Sequence, residues 1–276
     1  MLKKILLALD GSENAEKALP WVLQFARQEK AQVVLLHVLP RRSDREGWPH
    51  ERAQAREYLL GIERELNYRG IPTKILVRRG NPAREIVDAA GDQASDLIIL
   101  STRGGSPVKR WAVGGVTEQV MRMSQVPVLP VWSALAMPRH GHVRRLIVPL
   151  DGSKRAEAVV WWSVRLAHLL KSKLIFLHVR APGTRASRGR QATVVEALER
   201  RMAKLSESLR RQGVPADFTV QRGDAAERIL TFADLNDLIL TTTHGFGGMK
   251  RWMFGSVAEK LVHSGSVPVL VYKTSA

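Results

Sequence analysis

The sequence predicts an α/β protein made of two tandem copies of one domain, each a five-stranded parallel sheet with helices on both faces. Three observations lead to this prediction. The 276 residues suffice for about two domains of ordinary size. Segments of the first half recur in the second at an offset of 141 residues, as Ile5–Ser12 does in Leu146–Ser153. Within each copy, short apolar runs alternate with segments of helical periodicity, the order that produces parallel sheets with crossover helices.

The repeat covers nearly the whole chain. The same offset relates His37-Val38 to His178-Val179, whereas Arg79-Gly80 and Arg222-Gly223 are separated by 143, so small length changes flank that pair. A segment rich in small residues, Pro and Gly lies between the copies, near 133–142. The predicted domains are therefore residues 1–135 and 143–276.

The first copy opens with a strand, a helix and a second strand. Ile5–Leu9 is a short apolar run, typical of a strand buried on both faces, and Asp10–Glu13 supplies a turn and a helix start. Ala15–Glu29 has apolar residues at helical spacing and predicts one helix. Gln32–Leu39 is the next apolar run and predicts the second strand.

The alternation continues to the end of the copy. A helix is predicted over about Glu51–Tyr68, and Gly70 ends it. The remaining elements are a strand at Lys74–Arg78, a helix at Pro82–Ala90, a strand at Leu97–Ser101, a helix end at Thr117–Ser124 and a strand at Val126–Val131. The second copy repeats this order, with strands near 145–150, 173–179, 217–221, 237–241 and 267–272.

Composition excludes several classes of protein. Hydrophobic residues make up 45% and charged residues 25%, as in an ordinary folded domain. No apolar run approaches the roughly 18 residues that a membrane span needs. The chain has no cysteine, which excludes disulfides, thiolate metal sites and cysteine nucleophiles. We therefore expect a cytoplasmic protein that does not associate with membranes.

The net charge is +17, and most of the excess lies in the second half. Residues 1–138 contain 20 basic and 15 acidic residues, whereas residues 139–276 contain 23 and 11. Such a balance favours anionic partners, from a triphosphate to nucleic acid. Arginine used only as a solubilising surface residue gives the same composition, and both interpretations stay open.

Glycines mark the segment that follows the fourth strand in each copy. In the second copy this segment contains Gly245 and Gly255, and then Ser256 at a predicted helix start. Glycine lets backbone N–H groups turn toward an anion, and the helix start adds partial positive charge. Lys250 and Arg251 add a cationic field. The pattern suits phosphate, although turn glycines at a strand–helix junction are also often purely structural.

These residues resemble the ATP-binding branch of the universal stress protein family, whose pattern after the fourth strand is Gly-x2-Gly-x9-Gly-(Ser/Thr). The second copy has Thr242-x2-Gly245-x9-Gly255-Ser256, and the first has Ser101-x2-Gly104-x9-Gly114-Gly115. The resemblance implies two Rossmann-like (adenine nucleotide alpha hydrolase-like) domains. It also implies an adenine nucleotide as ligand, ATP or else AMP or ADP, with Mg²⁺ as a candidate companion of ATP.

The resemblance also assigns roles to residues. The side chains of Asp10 and Asp151 would bind the nucleoside, and the backbones of Val38 and Val179 would read the adenine edge. The phosphates would be wrapped by the motif residues, which are Gly104, Gly114, Gly245, Gly255 and Ser256.

Two departures from the motif indicate which copy binds ATP more tightly. Ser101 and Thr242 replace the first glycine, and a Cβ costs about 1–2 kcal/mol there if the backbone needs positive φ or a very close approach of phosphate. Gly115 stands in the first copy where a hydroxyl residue is usual, whereas the second copy keeps Ser256. We therefore predict that the second copy is the ATP site, and that the first is weaker, limited to AMP or ADP, or empty.

Several of these residues also have structural interpretations. Asp10 and Asp151 would serve as helix caps or turn residues. His37 and His178 lie within predicted strands without a carboxylate or nucleophile partner in sequence, so a core or loop-supporting role is expected rather than catalysis. For His244 a phosphate contact and an exposed loop position are equally open.

The fifth strand of each copy is predicted to lie at a sheet edge. In the resembled family such strands pair between domains, so we expect the two copies to form an intrachain pseudo-dimer. Further association of two chains into a homodimer stays open.

Three functions remain. The first is an adenine-nucleotide-binding protein of stress response or signalling, in which nucleotide controls conformation or partner choice. The second is a slow ATPase, although no dedicated carboxylate lies near the glycine segment, Glu118 and Glu259 being one to two turns into the next helix. The third is non-specific association with nucleic acid through arginine-rich segments near 41–45 and 180–190. Motifs of P-loop, dinucleotide-binding and serine-hydrolase enzymes are lacking, and we favour the first function without catalysis.

Overall fold

In the computed structural model the chain divides into two units, Met1–Met137 and Pro138–Ala276, and each holds one copy of the repeat. The structure describes residues 2–41, 47–102, 114–132, 142–181, 188–242 and 255–273. The domain limits 1–135 and 143–276 stay a prediction.

The described part of the first unit contains five parallel strands in the order β3-β2-β1-β4-β5. The strands are β1 (Lys4–Leu9), β2 (Gln32–Leu39), β3 (Thr73–Arg79), β4 (Leu97–Ser101) and β5 (Val128–Val131). The helices are α1 (Glu13–Glu16), α2 (Leu19–Glu29), α3 (Trp48–Tyr68), α4 (Pro82–Asp92) and α5 (Gly115–Met123).

The second unit repeats this topology over its described residues, with parallel strands in the order β8-β7-β6-β9-β10. Its strands are β6 (Arg145–Pro149), β7 (Lys173–Arg180), β8 (Ala216–Arg222), β9 (Asp237–Thr242) and β10 (Val269–Tyr272). Its helices are α6 (Lys154–Leu170), α7 (Arg188–Arg211), α8 (Ala225–Phe232) and α9 (Ser256–Ser264).

The strand order determines on which face each helix lies. The chain moves outward in one direction from β1 to β3, then returns past β1 to β4 and β5. Because crossovers between parallel strands are right-handed, α2 and α3 cover one face of the sheet and α4 and α5 the other. Consistent with this, α3 packs on β2 and β3, and α4 packs on α5. The direction reverses between β1 and β4, and ligands of open α/β sheets bind at the carboxyl ends of such strands.

Burial on both faces explains the apolar runs that predicted the strands. Four consecutive residues of β2, Val33 to Leu36, are fully buried, and so are Ile5, Leu6 and Leu7 of β1. Strands covered by helices on both faces have no solvent side and therefore need no polar alternation. The predicted α/β fold class is confirmed.

Proline corrects two predicted boundaries. The helix predicted over Ala15–Glu29 is divided into α1 and α2, because Pro20 has no N–H to donate to the carbonyl one turn earlier. The strand predicted over Val126–Val131 begins only at Val128, since Pro127 cannot donate to the ladder, although its carbonyl oxygen accepts from the Ile98 N–H at 2.9 Å. Pairing of β5 with β10 stays a prediction.

Candidate functional site

A cavity of about 380 Å³ opens in the first unit at the carboxyl ends of β1, β2 and β4, beside the start of α5. Its volume lies within the range of small-molecule pockets. Four of the predicted ligand residues of the first copy line it, namely Asp10, Val38, Gly114 and Gly115. Residues far apart in sequence are thus brought to one place at the topological switch point.

Asp10 lies in the turn that follows β1. Its Oδ1 atom accepts hydrogen bonds from the backbone N–H of Ser12 at 3.0 Å and from the Ser12 hydroxyl at 2.6 Å. Gly11 has a φ of +83°, which makes this turn tight. The cap interpretation of Asp10 is wrong, because Ser12 is the N-cap of α1 and accepts from Ala15 N at 3.2 Å. The turn interpretation holds and leaves Asp10 exposed beside the cavity.

Val38 and Val179 occupy matching positions near the ends of their strands. Val38 pairs in register with Arg78 on β3, and Val179 pairs with Gln221 on β8. Both strands continue for one residue beyond the valine, so the valines are penultimate rather than terminal. Val38 nevertheless lines the cavity, as the adenine-reading role requires.

Gly114 is required by a close approach of two backbone segments. It is the N-cap of α5, with extended angles of φ −60° and ψ 144°, and its N–H donates to the Thr102 carbonyl oxygen at 2.8 Å. A Cβ on Gly114 would lie 2.6 Å from that oxygen, closer than real Cβ contacts allow. By contrast, a Cβ on Gly115 would meet no atom of the described residues within 4 Å. Only the first of the two glycines is sterically obligatory.

The starts of α5 and α9 are alike and lack side-chain caps. Gly255 is the N-cap of α9 with angles of φ −63° and ψ 144°, nearly those of Gly114. Neither N-cap residue supplies a side-chain hydrogen bond to its helix, because both are glycines. First-turn N–H groups have no partner within their helix, so an uncapped start is suited to an anion. Ser256 places a hydroxyl at the first position of α9, where α5 has Gly115.

The departures at Ser101 and Thr242 carry no backbone strain. They are the last residues of β4 and β9, and the non-glycine residues with positive φ in the described part of the chain are Lys30, Ala94 and Lys171. The positive φ that would make a Cβ costly is therefore absent at both positions, and a cost from close approach of phosphate stays a prediction. Gly104, Gly245 and His244 lie outside the described residues, and their roles stay predictions.

Asp151 and the two strand histidines complete the comparison of the copies. Asp151 accepts from Ser153 N at 2.9 Å in a turn like that of Asp10, and Gly152 has a φ of +85°. His178 is buried, with its Nδ1 atom 2.7 Å from the Leu150 carbonyl oxygen, and it supports the end of β6 as expected. His37 instead lines the cavity, and its ring lies edge-on to Tyr58 with centroids 6.2 Å apart.

Sequence reasoning missed the carboxylate beside His37. Leu9 and His37 are register partners on β1 and β2, so Asp10, which follows Leu9, interacts electrostatically with the ring. Burial lowers the pKa of His37 below the ordinary 6.5, and Asp10 offsets only part of this effect. Burial and then the carboxylates of Glu16 and Asp10 raise the pKa of Tyr58. At neutral pH both rings are therefore uncharged. The pairing of two adjacent strands was the signal that could have found this group.

We expect His37 to make the first unit less stable as the pH falls below 6.5. The unfolded chain then binds a proton that the half-buried ring resists, so the free energy of unfolding decreases through this window and is unaffected above it. His37→Gln should flatten the decrease between pH 7.5 and 5.5 by up to about 1 kcal/mol, measured by urea denaturation. Exposed His50→Gln is the control. Equal pH dependence of both variants would contradict the assignment.

Comparison with known proteins identifies the family. The model of the universal stress protein family matches residues 1–131 and 142–273, nearly the whole chain in two domains. The chain belongs to the universal stress protein family. A universal stress protein of Mycolicibacterium smegmatis is 23% identical over 292 residues, covering 98% of this chain and 96% of that protein. Another, from Methanocaldococcus jannaschii, is 32% identical over 154 residues and covers 48% of this chain and 95% of its own.

A solved structure supports the fold of the family over the full length. The universal stress protein from Archaeoglobus fulgidus matches with a TM-score of 0.78 and 23% identity, covering 100% of both chains. The tandem arrangement of two universal stress protein domains is thus present here. No helix in the described ranges is long and apolar enough to cross a membrane.

Proposed function

We propose that the chain binds an adenine nucleotide in each unit, at the carboxyl ends of the strands, and acts in stress response or signalling through nucleotide-dependent control of conformation or partners. The observation that carries the proposal is the cavity in the first unit, which unites Asp10 and Val38 with the uncapped start of α5. This proposal places the protein in the cytoplasm, where its ligand is abundant.

The lining of the cavity suits the parts of a nucleotide. Leu36, Ile86 and Leu100 provide apolar walls against which a base would pack. The carboxylate of Asp10 is an acceptor for ribose hydroxyls. Phosphates would lie against the amides at the start of α5, where close packing on Thr102 leaves room only for glycine at position 114.

Binding rather than hydrolysis is the proposed activity. Glu118, the nearest carboxylate on α5, forms an ion pair with Arg122 at 2.5 Å and is thereby drawn along its own helix. The described residues contain no group of three or more His, Asp or Glu side chains placed to hold a metal. A Mg²⁺ ion that accompanies ATP would take most of its ligands from phosphate and water.

The second unit is proposed as the ATP site, and the first as a weaker site or one for AMP or ADP. Asp151, Val179 and Thr242 hold the positions of Asp10, Val38 and Ser101 in the repeated fold. Ser256 adds a hydroxyl donor at the start of α9 that the first unit lacks. A single hydroxyl therefore accounts for much of the proposed difference between the units.

Exchanging this hydroxyl between the units tests the proposal. Gly115→Ser should tighten ATP binding to the first unit by about tenfold, and Ser256→Gly should weaken binding to the second by a similar factor, since a hydrogen bond to a charged group contributes roughly 1.5–3 kcal/mol. Isothermal titration calorimetry with ATP and with adenosine measures both effects. The affinity for adenosine should not change, because adenosine has no phosphate.

Gly115→Ala separates the hydroxyl from the loss of a glycine. A Cβ at this position meets no atom within 4 Å, so the alanine variant should bind ATP as the unmodified chain does. If serine and alanine at position 115 behave alike, the proposed phosphate contact is wrong. If neither the parent chain nor any of these variants binds ATP, AMP or ADP at millimolar concentration, the proposed function is wrong.

A further inference from the structure

Two arginines end adjacent strands in the second unit. Arg180 is the last residue of β7, Arg222 is the last residue of β8, and the two are register partners. Neighbouring side chains at one register position lie on the same side of a sheet, and like charges there repel. Such an arrangement at the carboxyl ends of parallel strands calls for a compensating anion.

A third arginine reaches the same place from α8. The N–H of Gly223 donates to the Arg180 carbonyl oxygen at 3.0 Å and so closes the end of β8 onto β7. The side chain of Arg228 lies across this glycine, because a Cβ on Gly223 would come within 2.7 Å of its Nε atom. We call these three residues the arginine cluster: Arg180 and Arg222 end adjacent strands, and the Arg228 side chain lies against the glycine that follows Arg222.

The charges of the arginine cluster are poorly compensated. Arg180 is ion-paired with Glu199. Within the described residues, the side chains of Arg222 and Arg228 form no hydrogen bond and no ion pair. The Nε atoms of Arg180 and Arg228 are buried without a hydrogen-bond partner. A buried donor that is left unpaired is costly, and the charges of Arg222 and Arg228 have no counter-ion in the described part of the chain.

The first unit provides an internal comparison, because it forms the same backbone hydrogen bond between the ends of two strands. Gly80 N–H donates to the Leu39 carbonyl oxygen at 3.0 Å, as Gly223 does to Arg180. Glu85 lies across Gly80 in the place that Arg228 has beside Gly223, and it pairs with Arg78 at 3.6 Å.

Across the three equivalent positions the two units differ in charge. The first unit has Leu39, Arg79 and Glu85, whereas the second has Arg180, Arg222 and Arg228. One cation and one anion are thus replaced by three cations, and the cation of the first unit, Arg79, is itself stacked over the Trp48 ring at 5.2 Å. The fold needs no cationic cluster at this place, which points to a ligand specific to the second unit.

We propose that the arginine cluster is an oxyanion site that binds a phosphoryl group. Guanidinium groups bind phosphate in a bidentate manner, and three of them supply both charge and directed donors. The site lies at the ligand-binding edge of the sheet but on β7 and β8, away from Asp151 and the start of α9. Its phosphoryl group comes either from free inorganic phosphate or from a second nucleotide, because the phosphates of a nucleotide at Val179 are proposed to lie at the start of α9.

Charge reversal at Arg228 tests the site. Arg228→Glu installs the residue type found at the equivalent position of the first unit, and Arg222→Gln removes an exposed side chain without a described partner. Titration calorimetry measures binding of inorganic phosphate and of ATP, AMP and adenosine at constant ionic strength. Arg56→Glu, at an exposed position on α3, is the control with the same change in net charge as Arg228→Glu.

A phosphate affinity that falls about tenfold or more in both cluster variants, and not in Arg56→Glu, identifies free phosphate as the ligand. A tenfold loss of ATP or AMP affinity with unchanged adenosine affinity identifies the phosphoryl group of the nucleotide. If all affinities in the folded Arg222→Gln variant equal those of the Arg56→Glu control, the site does not exist. Inorganic phosphate makes no nucleoside contact. The phosphate titration can therefore succeed or fail independently of the proposed nucleotide sites.

Discussion

A single methyl group at Gly114 is expected to weaken nucleotide binding by the first unit strongly. In Gly114→Ala the new Cβ would lie 2.6 Å from the Thr102 carbonyl oxygen, so the start of α5 must move away from the end of β4. That movement displaces the amides that face the cavity, and losing even one hydrogen bond to a charged phosphate costs about 1.5–3 kcal/mol. We expect ATP and AMP affinity of this unit to fall at least about tenfold, measured by calorimetry as the loss of one class of site.

The adjacent glycine gives a matched control for this substitution. Gly115→Ala adds the same methyl group one residue later, where it meets no atom within 4 Å and where the second unit has Ser256. It should preserve affinity and slightly raise helix stability. A second control is the thermal stability of both variants, since overpacking at Gly114 also costs about 1–3 kcal/mol. Equal nucleotide binding by the two alanine variants would show that the start of α5 does not contact the ligand.

The contrast between these glycines shows what the sequence could and could not predict. The repeat and the apolar runs predicted the sheets, because a strand covered on both faces needs apolar residues at every position. The motif spacing marked Gly114 and Gly115 together. Why only Gly114 must be glycine depends on the approach of Thr102 from the end of β4, a contact that no local pattern encodes.

Other features that the sequence did not predict also depend on contacts between residues far apart in the chain. The proximity of Asp10 to His37 follows from the pairing of β1 with β2, and the charge inversion between Glu85 and Arg228 becomes visible only when the two backbones are compared. Local errors were smaller and have local causes. Pro20 divides a helix whose apolar spacing is otherwise continuous, because its missing N–H outweighs the periodicity.

Removal of the Arg145 side chain is expected to destabilise the second unit strongly. Asp237 is fully buried, and it accepts from Arg145 Nε at 2.8 Å, from Arg145 Nη2 at 2.5 Å and from Asp234 N at 2.8 Å. The ion pair holds the pKa of Arg145 above its usual value, chiefly through the hydrogen bond. Arg145→Met leaves the carboxylate buried without its cation, which costs about 3–5 kcal/mol.

Measurement in both units can distinguish a lost ion pair from a general loss of packing. At the matching place in the first unit Asp96 accepts from the backbone N–H groups of Lys3 and Lys4, so Lys4→Met should cost less than about 1 kcal/mol. Urea denaturation measures the free energy of unfolding that each of the two variants loses. Hydrogen exchange of the β6 and β9 amides reports the loss within the second unit. Adding Asp237→Asn to Arg145→Met should recover part of the loss, because no charge then remains buried. If the double variant is no more stable than Arg145→Met, the buried charge is not the cause, and the contact of Arg145 with the Phe232 ring at 5.2 Å becomes the better explanation.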